Sequence, residues 1–150
     1  MTTLLVVEDG REYLEFFQLF LKDDYSYRHA QSGRAAMSIL DEDGIDMIVL
    51  DMRFDRTDES DLLGDEARVA DDYFGGDRSR AQRYIKENQG TMILAALREE
   101  SYTRPVLFVH DMPPKKLENL RALYGRIYVV PRFDAAAIRA EISKALERRQ

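Results

Sequence analysis

Three carboxylates stand where short apolar runs stop. Leu4-Leu5-Val6-Val7 ends on Glu8-Asp9, and Met47-Ile48-Val49-Leu50 ends on Asp51. Each run is short, rich in β-branched residues and bounded by a turn signal, which predicts a strand buried on both faces. Like charges gathered at one place hold protons more tightly unless a cation neutralises them. A hard divalent ion such as Mg²⁺ suits this setting, since it takes carboxylate oxygens and keeps several waters. For Glu8-Asp9 alone a simpler reading competes, because acids also suit the start of a helix, where the dipole favours negative charge. Asp51, at the end of a second apolar run, turns the preference to a metal site formed by Glu8, Asp9 and Asp51.

Such a site needs a scaffold that brings strand ends together. Arg11 to Lys22 carries Leu14, Phe17 and Leu21 at helical spacing, with Tyr13, Phe16 and Phe20 widening the stripe. Tyr25 to Ala30 reads as a weaker strand. Ser32 is an N-cap for a helix through about Leu40, and Gly44 ends that unit. From Met52 to about Asn88 the chain is dense in Asp, Glu, Arg and Gly, with helical pieces expected at Leu62 to Phe74 and Arg78 to Lys86. After Gly90 a helix is expected from Met92 to Glu100, then a strand at Val106 to Val109. Pro113-Pro114 opens a helix from Lys115 to Tyr124, and Ile127 to Val130 is the last strand. Asp134 caps a closing helix, Ala135 to Arg149.

Strand and helix thus alternate five times, which predicts an α/β fold: a doubly wound five-stranded parallel sheet with helices on both faces. In such sheets the ligand crevice lies beyond the carboxyl ends of the strands, where all three acids sit. One domain is expected over residues 1–150, with a partly helical insertion at approximately 53–89.

Composition narrows the function classes. The chain has 28 acidic and 22 basic residues, a net charge of −6, the wrong sign for a surface that grips a phosphate backbone. It contains no cysteine and two histidines, which excludes disulfides, thiolate metal sites and cysteine nucleophiles. No apolar run approaches the roughly 18–20 residues of a membrane span, and no signal peptide is apparent. A cytoplasmic protein is expected, without direct contact to nucleic acid or membrane.

Five stretches, in this order and spacing, resemble a response-regulator receiver domain of the CheY-like family. LLVVEDG resembles the first strand with its acidic pair, and HAQSGRAAMSILDED the second helix with the residues before it. GIDMIVLDM resembles the third strand ending in the phosphoaccepting aspartate, RPVLFVHD the fourth strand, and YVVPRFD the fifth. The resemblance implies the flavodoxin-like strand order 2-1-3-4-5, with Asp51 accepting a phosphoryl group from a histidine kinase or phosphotransfer protein. It implies Mg²⁺ held by Glu8, Asp9, Asp51 and the backbone carbonyl of Arg53. Phosphoryl transfer depends on charge neutralisation and positioning, which such a set supplies. The expected function is signalling in a two-component phosphorelay. Self-phosphorylation from a phosphodonor and autodephosphorylation are the only chemistry expected, with a downstream protein partner and a possible homodimer. The sequence fits either a stand-alone regulator or the receiver portion of a longer protein.

Three departures from the family pattern stand beside the resemblance. The fourth strand ends in His110 followed by Asp111, where the family carries Thr or Ser. The fifth strand runs into Pro131-Arg132, so the family's Lys-Pro is lost in either alignment. The segment after Asp51 is about thirty residues longer than usual, too long for a structureless loop in a compact domain. Arg53, Arg56 and Arg132 are the candidates for the missing positive charge, since a guanidinium pairs well with phosphate oxygens. His110 is a candidate phosphoryl contact or a satisfied strand-end residue. Tyr128 lies where the family carries its switch aromatic, or is an ordinary strand aromatic.

Two alternatives remain open. A phosphorylation-independent pseudo-receiver would keep the fold and act through its surfaces, which the lost lysine and hydroxyl favour and the three retained acids oppose. A Toprim-like Mg²⁺-dependent nucleic-acid enzyme also places a glutamate after a first strand. It needs two aspartates one residue apart later in the chain, and Arg53 stands where the second would be.

Overall fold

A computed structural model describes residues 1–42 and 44–147. Asp43 of the second-helix motif, and Arg148 and Arg149 of the expected last helix, lie outside the described residues. Five strands form one parallel sheet: β1 (Thr3–Val7), β2 (Ser26–Ala30), β3 (Met47–Leu50), β4 (Val106–Val109) and β5 (Ile127–Val130), in the order β2-β1-β3-β4-β5. This is the strand order that the resemblance implied.

The side chains of the central strands alternate between two cores, as strand geometry requires. Leu5, Val7, Ile48, Leu50, Val106 and Phe108 face one side. There they meet α2 (Gly33–Leu40), through Ala36, together with α5 (Gln89–Glu99), through Ile93, Leu94 and Leu97, and α6 (Pro114–Tyr124), through Leu120. Leu4, Val6, Met47, Val49, Leu107 and Val109 face the other. There α1 (Glu12–Phe20) contributes Phe17, and α7 (Ala135–Glu147) contributes Ile138, Ile142 and Ala145. Helices on both faces leave the carboxyl edge of the sheet as the place where strand ends meet.

Side-chain caps start four of the seven helices among the described residues. Ser32 Oγ accepts from Ala35 N at 3.1 Å to start α2, and Asp134 Oδ1 accepts from Ala137 N at 3.1 Å to start α7. The segment after β3 holds a 3₁₀ turn at Glu59–Asp61, then α3 (Glu66–Tyr73) and α4 (Arg78–Glu87). Asp65 and Asp77 cap these two helices, each accepting from a backbone N–H at 3.1 Å.

Here the helix boundaries differ from the sequence reading. Leu62 and Leu63 lie before α3 in extended chain, and Gly64 takes φ +116°, a left-handed conformation that halts helix growth toward them. Leu63 is gripped by the buried Gln89 side chain, whose Oε1 accepts from its N–H at 2.8 Å and whose Nε2 donates to its carbonyl at 2.9 Å. At the far end, α5 begins at Gln89 and includes Gly90. A Cβ at Gly90 would lie 2.4 Å from the Asp51 carbonyl oxygen, so this glycine is there to let α5 approach β3.

Two main-chain hydrogen bonds close the base of the segment. Phe54 N–H donates to the Lys86 carbonyl at 2.8 Å, and Gly90 N–H donates to the Met52 carbonyl at 2.9 Å. Phe54, Leu62 and Ile85 are buried in the core shared with α2 and α5. The segment is therefore helical and packed onto the sheet's flank. Its opening residues reach across the carboxyl edge, where Arg56 meets Asp9.

Candidate functional site

The strand ends bring the three acids to one edge, where their surroundings send them in different directions. Glu8 N–H donates to the Ala30 carbonyl at 3.0 Å, which continues the β1–β2 ladder by one residue. The residue is 1% exposed. Oε1 accepts from Tyr13 N at 2.9 Å, Oε2 accepts from Leu14 N at 3.0 Å, and His29 Nε2 lies 3.2 Å from Oε2. The reason is local: α1 opens at Arg11, which offers no side-chain cap, so the first-turn N–H groups lack partners. Glu8 reaches across and supplies both oxygens, with its charge at the positive end of the helix. Both Glu8 oxygens are thus engaged by the start of α1, and among the described residues no three His, Cys, Asp or Glu side chains are grouped to hold a metal.

Asp9 is held by the segment that follows β3. Its Oδ2 accepts from Arg56 N at 2.7 Å, and the Arg56 guanidinium lies 3.5 Å from Oδ1 and 2.9 Å from Glu12 Oε1. Of the three arginines considered for a missing positive charge, Arg56 brings its guanidinium to a strand-end acid, Asp9, whereas Arg53 reaches Asp51 through its backbone. Glu12 is held below the ordinary carboxylate range, first by backbone hydrogen bonding at the helix start and then by Arg56. Arg53 pairs with Asp55 at 3.3 Å and lies 3.8 Å from Glu87. Arg132 lies exposed in the turn after β5.

Asp51 sits at the end of β3, its N–H donating to the Val7 carbonyl of β1 at 2.9 Å. Its Oδ1 accepts from Met52 N at 2.7 Å and lies 3.0 Å from the Tyr13 hydroxyl, which is also 3.0 Å from the Val109 carbonyl of β4. Burial pushes the Asp51 pKa above the ordinary carboxylate value; hydrogen bonds from Tyr13 and Met52 oppose this, and the nearby Asp9 charge adds to it. Burial, and then the Asp51 charge, push the Tyr13 phenol up as well.

The remaining candidates separate. His110 N–H donates to the Val130 carbonyl at 2.9 Å, a ladder bond extending β4 against β5. Burial lowers its imidazole pKa, and the positive charges of Lys116 and Arg53 act in the same direction. Tyr128 is buried in the core between the sheet, α1 and α7. Sequence reasoning missed two residues: Tyr13, which touches Asp51, and Phe133, whose ring meets Tyr13 edge-on at 4.7 Å. A usable signal existed for the first. Tyr13 follows Asp9 by four residues, the spacing that returns a side chain to the mouth of the sheet one turn into the helix.

No family model matches the sequence, and no curated protein matches it either. Solved structures do match. The Vibrio cholerae chemotaxis protein CheY4 is 15% identical with a TM-score of 0.66, covering 97% of this chain and 99% of that one. A two-component response regulator from Clostridium difficile is 12% identical with a TM-score of 0.67, over 100% and 99% of the two chains. The response regulator TrrA from Thermotoga maritima, solved in complex with Mg²⁺ and BeF, is 16% identical with a TM-score of 0.63, over 97% and 100%. Together with the parallel sheet in the order 2-1-3-4-5 and helices on both faces, these matches show that the chain has the CheY-like fold of response-regulator receiver domains.

Proposed function

We propose that the chain is an atypical receiver domain of a two-component phosphorelay, with Asp51 as phosphoacceptor. The observation that supports this most is the position of Asp51: half-buried at the carboxyl end of the central strand, bonded through its N–H to β1, with Asp9 close enough to act on its charge. In the proposed reaction an Asp51 carboxylate oxygen attacks the phosphorus of a phosphohistidine on a kinase or phosphotransfer partner. The P–O bond forms as the P–N bond breaks, and the imidazole leaves. Asp9, Asp51 and the Arg53 backbone carbonyl make a donor set of hard oxygens that fits Mg²⁺, with waters completing its coordination. Bound there, Mg²⁺ would neutralise charge on the phosphoryl oxygens. Within the chain, the ends of β1 and β3 bring Asp9 near enough for its charge to act on Asp51, and the Met52 N–H orients the acceptor. Glu8 serves this reading at one remove, by fixing the start of α1.

A second reading, a phosphorylation-independent pseudo-receiver, is favoured by one observation: the acids at the edge already have partners within the chain. Arg56 stands at Asp9 as a resident cation, and Tyr13 stands at Asp51. Incubation with acetyl phosphate followed by intact-mass measurement separates the two, with Asp51→Asn as control. A single phosphoryl adduct on the wild-type chain and none on the variant is the expected result. No adduct on the wild-type chain or on Tyr13→Phe, under conditions that label an ordinary receiver, would favour the second reading. A cytoplasmic location, a downstream protein partner and self-association are part of the same proposal. Among the described residues no helix is long and apolar enough to cross a membrane.

A further inference from the structure

The Tyr13 hydroxyl is 3.0 Å from Asp51 Oδ1 and 3.0 Å from the Val109 carbonyl oxygen. Both neighbours are acceptors and the hydroxyl has one proton, which it gives to one of them or shares between them, so this single hydroxyl spans the ends of β3 and β4 beside Asp51. Oδ1 already accepts from Met52 N at 2.7 Å. While Tyr13 donates to it, Oδ1 serves two donors and is a weaker nucleophile.

Tyr13 is itself backed by a row of aromatic rings. Phe133 meets Tyr13 at 4.7 Å and Phe16 at 4.8 Å, and Phe16 meets Phe20 at 4.9 Å. Phe133 is 39% exposed and Phe20 is 56% exposed, so the row runs from Asp51 to the surface. Edge-on and tilted pairs at these separations each add a modest attraction beyond area burial. Phe133 lies in the turn after β5, on the stretch that also carries Pro131 and Arg132. This turn therefore presses an aromatic ring onto the residue above Asp51 and leaves its arginine in solvent.

We propose that Tyr13 is a gate on Asp51: its hydroxyl holds the acceptor carboxylate closed, Phe133 holds Tyr13 in place, and phosphorylation proceeds after Tyr13 has left. Tyr13 is thus a positioning residue, and Phe133 is the surface handle through which a bound partner opens the site. The proposal rests on Asp51 being the acceptor, and the experiment tells the two apart.

The time course of acetyl phosphate labelling is followed by intact mass for the wild-type chain, Tyr13→Phe and Phe133→Ala, each with Mg²⁺. Circular dichroism confirms that each variant is folded. In parallel, tetranitromethane nitration of the wild type and Phe133→Ala is mapped by peptide mass, which reads the accessibility of the Tyr13 ring without reference to phosphorylation. Tyr13→Phe should label about tenfold faster, the size expected when one hydrogen bond to a charged group is lost. Phe133→Ala should raise both the labelling rate and the nitration of Tyr13. Equal labelling of wild type and Tyr13→Phe, or slower labelling of the variant, would overturn the gate while leaving Asp51 as acceptor. Failure of all three chains to label would overturn the receiver reading and the gate with it. Nitration of Tyr13 in the wild type as fast as in Phe133→Ala would remove Phe133 from the proposal.

Discussion

Replacing Glu8 by alanine separates its role as a helix cap from a role as a metal ligand. The side chain is 2% exposed and accepts from two backbone N–H groups, at 2.9 and 3.0 Å, with His29 beside it. Loss of an N-terminal cap costs about 0.5–2 kcal/mol. A buried donor left without a partner costs about 1–3 kcal/mol, and the Leu14 N–H is the more deeply buried of the two. Taken together, Glu8→Ala should destabilise the fold by about 3 kcal/mol, a large share of the roughly 5–15 kcal/mol that holds a domain together. For a chain of 150 residues each kcal/mol shifts Tm by roughly 2–4 °C, so a fall of about 6–12 °C is expected. Glu8→Gln should fall in between, since its amide oxygen serves one N–H while its NH₂ confronts the other. Thermal and urea unfolding followed by circular dichroism measure this. A Mg²⁺ titration of the same samples, read from amide resonances near Asp51, should give affinities close to wild type once the proteins are folded. A Tm within about 2 °C of wild type, together with loss of Mg²⁺ binding, would refute the cap and restore Glu8 to the metal site.

Two further outcomes follow from the same geometry. Burial raises the Asp51 pKa, so ionising this group costs stability: its contribution is fully present below the ordinary carboxylate range and is lost as pH rises through the raised value. Asp51→Asn should therefore be more stable than wild type at pH 7, with the gap closing below about pH 4 in urea unfolding. Phe54 is fully buried where the inserted segment enters the core, so Phe54→Ala should destabilise by about 3–5 kcal/mol. Hydrogen exchange should show the first loss of protection in α3 and α4, with β1, β3 and β4 retained.

The fold was legible because the strands are written almost without ambiguity. Leu4–Val7, Met47–Leu50 and Val106–Val109 are continuous apolar runs, and a chain segment buried on both faces must look so. Ser32 and Asp134 marked their helices because a capping oxygen is needed where they stand. Gly90 misled, since a glycine beside an apolar run signals a break, whereas here the missing Cβ is what α5 requires to reach the Asp51 carbonyl. The acids were correctly placed at strand ends, yet their partners were not legible. Whether Glu8 turns toward a metal or toward an uncapped helix depends on Arg11 failing as a cap, which is a matter of three-dimensional direction. Tyr13 was counted as part of the apolar stripe of its helix because periodicity registers the ring and ignores the hydroxyl. Arg56 lies 47 residues from Asp9 in sequence, a contact that no local pattern announces.

The two main-chain bonds at the base of the inserted segment, Phe54 to Lys86 and Gly90 to Met52, make the chain return to nearly the point it left. The exit of β3 and the entry of α5 are thereby tied to each other directly, while Phe54, Leu62, Leu63 and Ile85 anchor the intervening chain to the same core. Loop-closure entropy grows so slowly that doubling such an excursion costs only about 0.6 kcal/mol. The position therefore behaves as a socket: a place beside Asp51 where a change in the length of the segment is taken up outside the strands.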